Sequence, residues 1–271
     1  GAMPEGHTIH RAARLQRRRI AGEVLNVDSP QGRFSDGAAE LNGRRLEGVD
    51  ALGKHLFHRW EGDLTVHIHL GLFGKFKVFT DVEKAPTPSD GTRMRWRGHT
   101  GAMYLSGPTA CEIIGADQEE ELRNRIGPDP LAVRKGDLDR VMSSLSRRTA
   151  PIAQVLLDQA VVAGIGNVYR AEFCFLAGID PRRPAREVSE NSAQQLWELS
   201  MQLMKIGERI GRIVTVDPAE VGARKPGDLR KGNRLYVYKR AGQPCRRCET
   251  PILSAVLATR RVWWCPSCQP A

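Results

Sequence analysis

Short runs in which apolar and polar residues alternate fill the first half of the chain and predict β-strands there. The clearest is LTVHIHLGLFGKFKVF at residues 64–79. Because successive side chains of a strand point to opposite faces, the period predicts that four apolar residues share a buried face: Val66, Ile68, Leu70 and Leu72. After Gly74, Phe76 and Val78 are expected to face inward, with the intervening lysines outward. With RLEGVDALGKHLFHRW and GAMYLSGPTACEII, this run indicates an antiparallel sheet domain.

The second half changes to the period of helices. A segment with two prolines and two glycines, IGPDPLAVRKGD, separates the halves and is typical of a domain boundary. One helix is expected before the sheet and four after this boundary: residues 6–21, 137–145, 151–158, 167–176 and 189–213. The predicted organisation is an α+β multidomain chain, with a sheet domain at 4–130, a helical domain at 131–239 and a cysteine module at 240–271.

The chain is strongly basic. It has 41 Lys and Arg against 31 Asp and Glu, a formal net charge of +10, which favours a polyanionic partner. Residues 222–248 hold nine of these cations and one acid, Asp228. Such a run is often a solvated surface, but its position before the cysteine module favours contact with phosphates. No apolar run approaches the about 20 residues that span a bilayer, so a cytoplasmic location is expected.

Four of the six cysteines have the spacing C-x2-C-x16-C-x2-C: Cys245, Cys248, Cys265 and Cys268. Two CxxC turns can offer four thiolates to one tetrahedral zinc ion. Two disulfides are the alternative, but a reducing compartment disfavours them, and so short a module lacks a sufficient core without metal. We therefore expect one structural Zn²⁺. Cys111 and Cys174 are expected to be packing residues.

Between the two CxxC pairs, PILSAVLATRRVWW reads as two short strands and a turn, with Arg260 and Arg261 near the tip. A zinc-held hairpin that presents arginines is a common device for binding nucleic acid. It does not by itself imply an enzyme.

The stretch AGIGNVYRAE predicts a tight turn at Gly164–Gly166, followed by a helix with Asn167 as its N-cap. Glycines let backbone N–H groups converge on a phosphate, assisted by the dipole of the following helix. The same pattern also suits a plain turn between helices.

The chain opens GAMPEGHTIH, in which Gly1 and Ala2 precede Met3. This arrangement predicts that residues 1–3 are the remnant of a cleaved tag and the initiator methionine. Removal of Met3 would leave the secondary amine of Pro4 as the terminus. Alternatively, Pro4 only interrupts structure before a helix that starts near Thr8.

Five stretches occur in order along almost the whole chain: PEGHT, LGKHLF, VHIHLGLFG, GIGNVYRAE and the C-x2-C-x16-C-x2-C module. In this combination the sequence resembles the formamidopyrimidine-DNA glycosylase and endonuclease VIII family of base-excision repair, and PEGHT is most similar to the actinobacterial endonuclease VIII branch. The resemblance implies an N-terminal β-sandwich with flanking helices, a helix-two-turn-helix domain and a C-terminal zinc-bound β-hairpin, with DNA in the cleft between the two halves.

The resemblance also implies roles for individual residues. Pro4 would be the nucleophile that forms a Schiff base with C1′, and Glu5 the general acid and base. Lys54 would contact phosphate and assist β-elimination, and Arg260 would bind phosphate and assist δ-elimination. The remaining expected DNA contacts are His69, Leu72, Phe73, Arg125, Asn167 and Arg261.

The chemistry of Pro4 is reasonable in its own right. An α-amino group has a pKa of about 7.7–8.0, against about 10.4 for lysine, so more of it is unprotonated at neutral pH. A secondary amine gives a cationic iminium, which is an electron sink for eliminating the 3′ phosphate. Leu72 and Phe73 are candidates for the wedge that fills the gap left by an extruded base. Leu72 could instead continue the buried face, whereas Phe73 is out of phase and expected to be exposed.

Two stretches depart from the formamidopyrimidine branch. Its Arg-Arg-Phe-Gly loop is replaced by SGPTACEI, and VDPAEVGARKPGDLRKGN does not resemble its lesion-capping loop. The expected function is a DNA glycosylase with AP lyase activity on oxidised bases, pyrimidines favoured, acting as a monomer on damaged double-stranded DNA, with single-stranded or forked DNA left open. A DNA-damage binding protein on the same scaffold is the alternative. A zinc-finger transcription factor would need a dimerisation surface and a groove-reading helix, and neither is evident.

Overall fold

The computed structural model describes residues 3–271, so Gly1 and Ala2, the predicted tag remnant, lie outside the described residues. The described chain forms two compact units. The first comprises residues 3–4 and 9–124, and the second comprises residues 5–8 and 125–271. Among the helices of residues 3–271, none has the length and apolar character that crossing a membrane requires.

The first unit contains eight strands joined in one antiparallel sheet. The strands are β1 (Val24–Asp28), β2 (Arg44–Leu52), β3 (His55–Trp60), β4 (Leu64–His69), β5 (Lys75–Phe79), β6 (Thr92–Gly98), β7 (Gly101–Ser106) and β8 (Ala110–Ile114). Their order is β5-β7-β6-β1-β2-β3-β4-β8. Since β1 and β2 pair through only Val24↔Arg45 and Leu25↔Arg44, the sheet divides into two four-stranded halves. Apolar side chains from both halves form one core, as a β-sandwich requires.

The alternating run behaves as predicted through Leu70, and again at Phe76, which packs against the core between the exposed Lys75 and Lys77. Val66, Ile68 and Leu70 are buried. The expectation for Leu72 is wrong: it is 53% exposed, because β4 ends at His69 and the turn that follows no longer obeys the two-residue period. Val78 is also exposed rather than inward, since β5 lies at the edge of the sheet, where packing partners are few.

Helix α1 (Gly6–Ile20) confirms the predicted first helix, and two further helices, α2 (Ser35–Leu41) and α3 (Ala116–Arg125), were not predicted. Helix α3 carries no buried residue and therefore no apolar stripe for sequence reasoning to detect. Ion pairs hold it to the sheet instead: Arg123 contacts Asp50 at 2.8 Å, and Glu119 contacts Arg59.

The second unit contains the four helices expected after the boundary: α4 (Asp137–Ser146), α5 (Ile152–Val155), α6 (Asn167–Leu176) and α7 (Glu190–Ile210). Helix α5 is shorter than predicted, because the amides of Leu157 and Asp158 donate to the carbonyl oxygens three residues earlier, of Gln154 and Val155, instead of continuing the α-helical pattern. Helix α7 ends at Ile210, since Gly211 adopts a left-handed conformation with φ 76°.

The end of the second unit is a two-stranded hairpin of β9 (Leu253–Leu257) and β10 (Arg260–Trp264). It packs on α6: Val262 and Trp264 of the hairpin share a hydrophobic cluster with Phe175. A loop of three 3-10 turns, at 218–221, 226–228 and 231–233, connects α7 to this region. The basic run predicted to face phosphate therefore lies partly in an ordered loop.

Candidate functional site

The carboxylate of Glu5 binds the amino-terminal end of α6. It is only 1% exposed and accepts hydrogen bonds from the Gly166 and Val168 amides, both at 2.8 Å, and from the Tyr169 amide at 3.4 Å. These amides lack helical partners, and the helix dipole favours an anion there. The expectation that this turn offers its backbone N–H groups to a phosphate is wrong for these three donors, because Glu5 occupies them.

Glycines make this approach possible. A Cβ on Gly166 would lie 2.5 Å from the Glu5 carboxyl carbon. Gly164 has φ +90° and its carbonyl oxygen accepts a 2.7 Å hydrogen bond from the Gly6 amide. Gly166, rather than Asn167, is the N-cap, and Asn167 is the first residue of α6. The turn thus holds the Glu5 carboxylate and, through Gly6, the backbone that follows Glu5.

Tyr169 lies beneath this carboxylate. Burial, with the charge of Glu5 adding to it, raises the pKa of the phenol well above its usual value of 10.0. Its ring stacks on Phe173 and meets His7 edge to face. Tyr169 is therefore a neutral packing group at every physiological pH.

Two charged residues of α6 that the sequence analysis missed are fully buried. Arg170 donates to the Asn167 side-chain oxygen at 2.9 Å, and Glu172 accepts from the amides of Val237 and Tyr238 at 2.8 and 3.0 Å. Both lie in the GIGNVYRAE motif, and the available signal was a pair of opposite charges in an otherwise apolar helix. Their partners are distant in sequence, so their roles were not visible there.

The four cysteines of the module come together as predicted. Their Sγ atoms all lie within 4.8 Å of one another, with 3.9 Å between Cys245 and Cys268 and 3.4 Å between Cys248 and Cys265. Tetrahedral zinc with Zn–S bonds of about 2.3 Å would separate its sulfurs by about 3.8 Å, so the donors fit the metal. A disulfide bond needs an S–S distance of about 2.05 Å, and none of these cysteine pairs is that close. The module is a structural zinc site.

The predicted arginines lie where β10 leaves the hairpin turn. Arg260 pairs with Leu257 across the turn and is half-buried. Arg261 is exposed, and its side chain donates to Ser254 Oγ at 2.9 Å. The hairpin thus carries two neighbouring guanidinium groups, and that of Arg261 is fixed by the contact with Ser254.

In the first unit, Lys54 lies in the turn between β2 and β3, close to the end of β4 where His69 lies. His69 is paired in register with His55, and the His55 and His67 rings share a 2.8 Å contact between Nδ1 and Nε2. Burial lowers the pKa of His69, and His67 and Lys54 lower it further. His55 and His67 were missed, although GKHLF and VHIHL place them on adjoining strands.

The two candidate wedge residues follow β4. Phe73 is 82% exposed, which confirms the predicted exposure, and Leu72 is exposed beside it. Two exposed apolar side chains at one turn are costly in water unless they meet a partner. Arg125, the last residue of α3, is exposed and belongs to the second unit.

Profiles of known protein families match three successive segments of the chain. The profile of the formamidopyrimidine-DNA glycosylase N-terminal domain matches residues 3–106, that of the family's H2TH domain matches 126–217, and that of the zinc finger found in FPG and IleRS matches 242–271. Endonuclease 8 1 of Mycobacterium tuberculosis is 45% identical over 98% of this chain and 100% of its own length. The chain belongs to the formamidopyrimidine-DNA glycosylase and endonuclease 8 family.

Other relatives agree. Probable endonuclease 8 2 of Streptomyces coelicolor is 34% identical over 98% of this chain and 94% of its own. The Lactococcus lactis Fpg protein in complex with DNA that contains an oxidised pyrimidine has a TM-score of 0.81 at 25% identity, covering 99% of this chain and 100% of that one. Membership of this family makes the protein a zinc-containing, DNA-binding glycosylase of base-excision repair.

Proposed function

We propose that the protein is a bifunctional DNA glycosylase and AP lyase whose nucleophile is the nitrogen of Pro4. The observation that carries the proposal is the anchoring of Glu5: a buried carboxylate held by the amides of Gly166, Val168 and Tyr169 fixes the residue next to Pro4. A nucleophile has to be held at a defined position to form a covalent bond with C1′ efficiently.

The proposed reaction has three stages. The Pro4 amine bonds to C1′ while the bond from C1′ to the damaged base breaks, and the departing base takes up a proton. The C1′–O4′ bond then breaks as O4′ takes up a proton, which opens the sugar and leaves an iminium between the Pro4 nitrogen and C1′. Loss of a proton from C2′ sends its electron pair into the iminium, and the resulting enamine expels the 3′ phosphate as C3′–O3′ breaks, with Lys54 assisting this β-elimination. Arg260 assists the later break of C5′–O5′, and Glu5 transfers protons to and from the sugar.

The proposed substrates are oxidised bases in damaged DNA, with pyrimidines favoured. The support is the 45% identity with an endonuclease 8 and the replacement of Arg-Arg-Phe-Gly by SGPTACEI. Because extrusion of a base leaves a gap in the stack, we assign Leu72 and Phe73 as the wedge. The protein is proposed to act as a monomer on duplex DNA.

The proposed phosphate contacts are Asn167, Arg260, Arg261, Arg125 and His69. The net charge of +10 supports binding to a polyanion. The zinc ion, bound by Cys245, Cys248, Cys265 and Cys268, supplies the rigidity of the hairpin that carries Arg260.

Borohydride trapping on an abasic-site duplex tests the proposal. Protein with Pro4 as its true terminus should form a covalent adduct and cleave the strand. The chain that retains residues 1–3 should do neither, because its Pro4 nitrogen is an amide whose lone pair is delocalised into the Met3 carbonyl. It should still bind the duplex. Equal trapping by both forms would make another amine, Lys54 first, the nucleophile and overturn the assignment of Pro4.

The second candidate is a damage-binding protein without lyase chemistry. The observation in its favour is the same carboxylate, since Glu5 bound by three backbone donors is also what a structural glutamate would show. Binding of abasic DNA by both forms, with trapping by neither, would support this candidate over the enzyme.

A further inference from the structure

Arg170 joins three segments of the second unit through one fully buried guanidinium. Its Nε donates to Asn167 Oδ1 at 2.9 Å, its Nη1 to the Ala153 carbonyl oxygen at 3.0 Å and its Nη2 to the Arg261 carbonyl oxygen at 3.2 Å. These acceptors belong to α6, α5 and β10. One planar side chain therefore links the turn that holds Glu5 to the zinc hairpin.

This guanidinium is buried without the usual compensation. Among residues 3–271, no carboxylate forms an ion pair with Arg170, so three neutral oxygens and the charge of Glu5, which makes no direct contact with it, have to offset the loss of hydration. Burial lowers its pKa to about 10, and the nearby Arg260 acts in the same direction. A fold that needed only packing here could use an apolar side chain, which points to a role that depends on the guanidinium.

The contact with Asn167 decides which way that amide faces. Because Oδ1 accepts from Arg170, the Nδ2 group is turned away from it and has no hydrogen-bond partner among the described residues. Asn167 is half-buried and is the first residue of α6. Arg170 thus leaves a donor, rather than an acceptor, available to a phosphate.

The contact with Arg261 acts on the other phosphate-binding element. The hydrogen bond is to its main chain, so it restrains the strand and not the Arg261 side chain. Arg260, the preceding residue, repels the buried charge of Arg170 through space. Because Arg260 is the neighbouring residue on the restrained strand, the hydrogen bond to the Arg261 carbonyl also limits where the Arg260 backbone can lie.

We propose that Arg170 is a positioning residue for DNA: it orients the Asn167 amide and restrains the strand of Arg260, so that the two phosphate contacts form together. The inference rests on the proposed roles of Asn167 and Arg260. Lysine has a single donor atom at its tip and no planar fork, so Arg170→Lys keeps the charge but cannot bridge all three acceptors.

A double-mutant cycle tests this coupling. Binding to a duplex that contains an uncleavable abasic-site analogue is measured for Asn167→Ala, Arg260→Ala and the pair, first with Arg170 present and then with Arg170→Lys. With Arg170 present, the change in the dissociation constant for the double variant should differ by about fivefold or more from the product of the two single changes. With Arg170→Lys, the change for the double variant should equal that product to within about twofold. Arg148→Lys is the matched control, since Arg148 pairs with Asp158 elsewhere in the unit, and it should leave the coupling intact.

The outcomes separate the two proposals. If neither single variant weakens binding, the proposed phosphate roles fail. If both weaken binding but their coupling is absent, or survives Arg170→Lys in protein that retains zinc, the positioning role fails.

Asn167→Asp provides a measurement that does not depend on the folding of Arg170→Lys. One carboxylate oxygen would still accept from Arg170, and the other would replace the outward donor with a negative charge. DNA binding should then be at least about tenfold weaker than for Asn167→Ala, because the introduced carboxylate and the DNA phosphate repel each other. Equal binding by the two variants would show that the amide donor does not face phosphate and would overturn the inference.

Discussion

The Gly6 amide nitrogen lies 2.7 Å from the Gly164 carbonyl oxygen, and neither residue can gain a side chain without conflict. A Cβ on Gly6 would lie 2.8 Å from Gly164 Cα, and a Cβ on Gly164 would lie 3.2 Å from Gly6 Cα. This close approach brings the first turn of α1 onto the turn before α6. The position of Glu5 therefore depends on two glycines that are far apart in the sequence.

Gly6→Ala should lower the free energy of unfolding by about 1–3 kcal/mol, because backbone atoms would have to move to admit the methyl group. Trapping of abasic DNA should fall with it, since Glu5 is the adjacent residue. Gly227→Ala is the matched control: nothing lies within 4 Å of its added Cβ. Urea unfolding and borohydride trapping provide the measurements, and an unchanged Gly6→Ala protein would contradict the prediction.

Cys248→Ser should release the zinc ion, unfold the terminal module and sharply weaken DNA binding. The helices α1–α7 and the eight-stranded sheet should remain folded. Metal binding supplies about 10 kcal/mol or more to modules of this kind. Cys111→Ser, a cysteine of the first unit outside the cluster, should retain one zinc. Metal analysis and circular dichroism test this pair, and active wild-type protein without stoichiometric zinc would refute it.

Arg260→Ala should weaken binding to every DNA sequence and reduce the salt dependence of binding by about one unit of slope, as expected for the loss of one phosphate contact. The measurement is the DNA dissociation constant over a range of salt concentrations. Arg261→Ala is the comparison, because it removes the neighbouring guanidinium. An unchanged slope for Arg260→Ala with a reduced slope for Arg261→Ala would assign the contact to Arg261.

Phe73→Ala should leave the free energy of unfolding within about 0.5 kcal/mol of the wild-type value, since the side chain is 82% exposed. Excision from duplex DNA should slow by about tenfold or more, because unstacking costs a few kcal/mol that the wedge offsets. Single-stranded substrate should be processed at an unchanged rate. Val78→Ala, at another exposed apolar residue, serves as the control, and equal slowing on both substrates would argue against a wedge.

Acidification should destabilise the sheet unit through His58. This side chain is fully buried beside Gln16, and burial lowers its pKa from 6.5 to about 3. Below pH 6.5, His58 binds a proton in the unfolded chain but stays neutral in the folded chain. The free energy of unfolding therefore falls as the pH decreases toward 3. The loss between pH 7 and pH 5 should be about 2 kcal/mol.

Amide hydrogen exchange in β3 measures this loss, because exchange reports the free energy of opening locally. His67 and His69 also have lowered pKa values, so part of the pH dependence should remain in His58→Gln. The variant should nevertheless lose about 2 kcal/mol less between the two pH values. The same loss in both proteins would exclude His58 as the cause.

Features encoded by nearby residues were predictable from the sequence. The spacing of Cys245, Cys248, Cys265 and Cys268 identified the zinc site, and helix α6 has the predicted bounds, residues 167–176. Period-two alternation correctly placed Val66, Ile68 and Leu70 in the core. Each of these depends on geometry that repeats over a few residues, so the local pattern contains enough information.

Other features depend on partners that only the tertiary structure brings together. Glu5 binds amides more than 160 positions away, so its carboxylate, rather than a phosphate, occupies the end of α6. Arg170 bridges residues that range from 153 to 261, and α3 is held by charges instead of an apolar stripe. Sequence patterns report which side chains avoid water. They do not report which distant donor meets which acceptor, and in this protein such pairings determine the geometry of the candidate site.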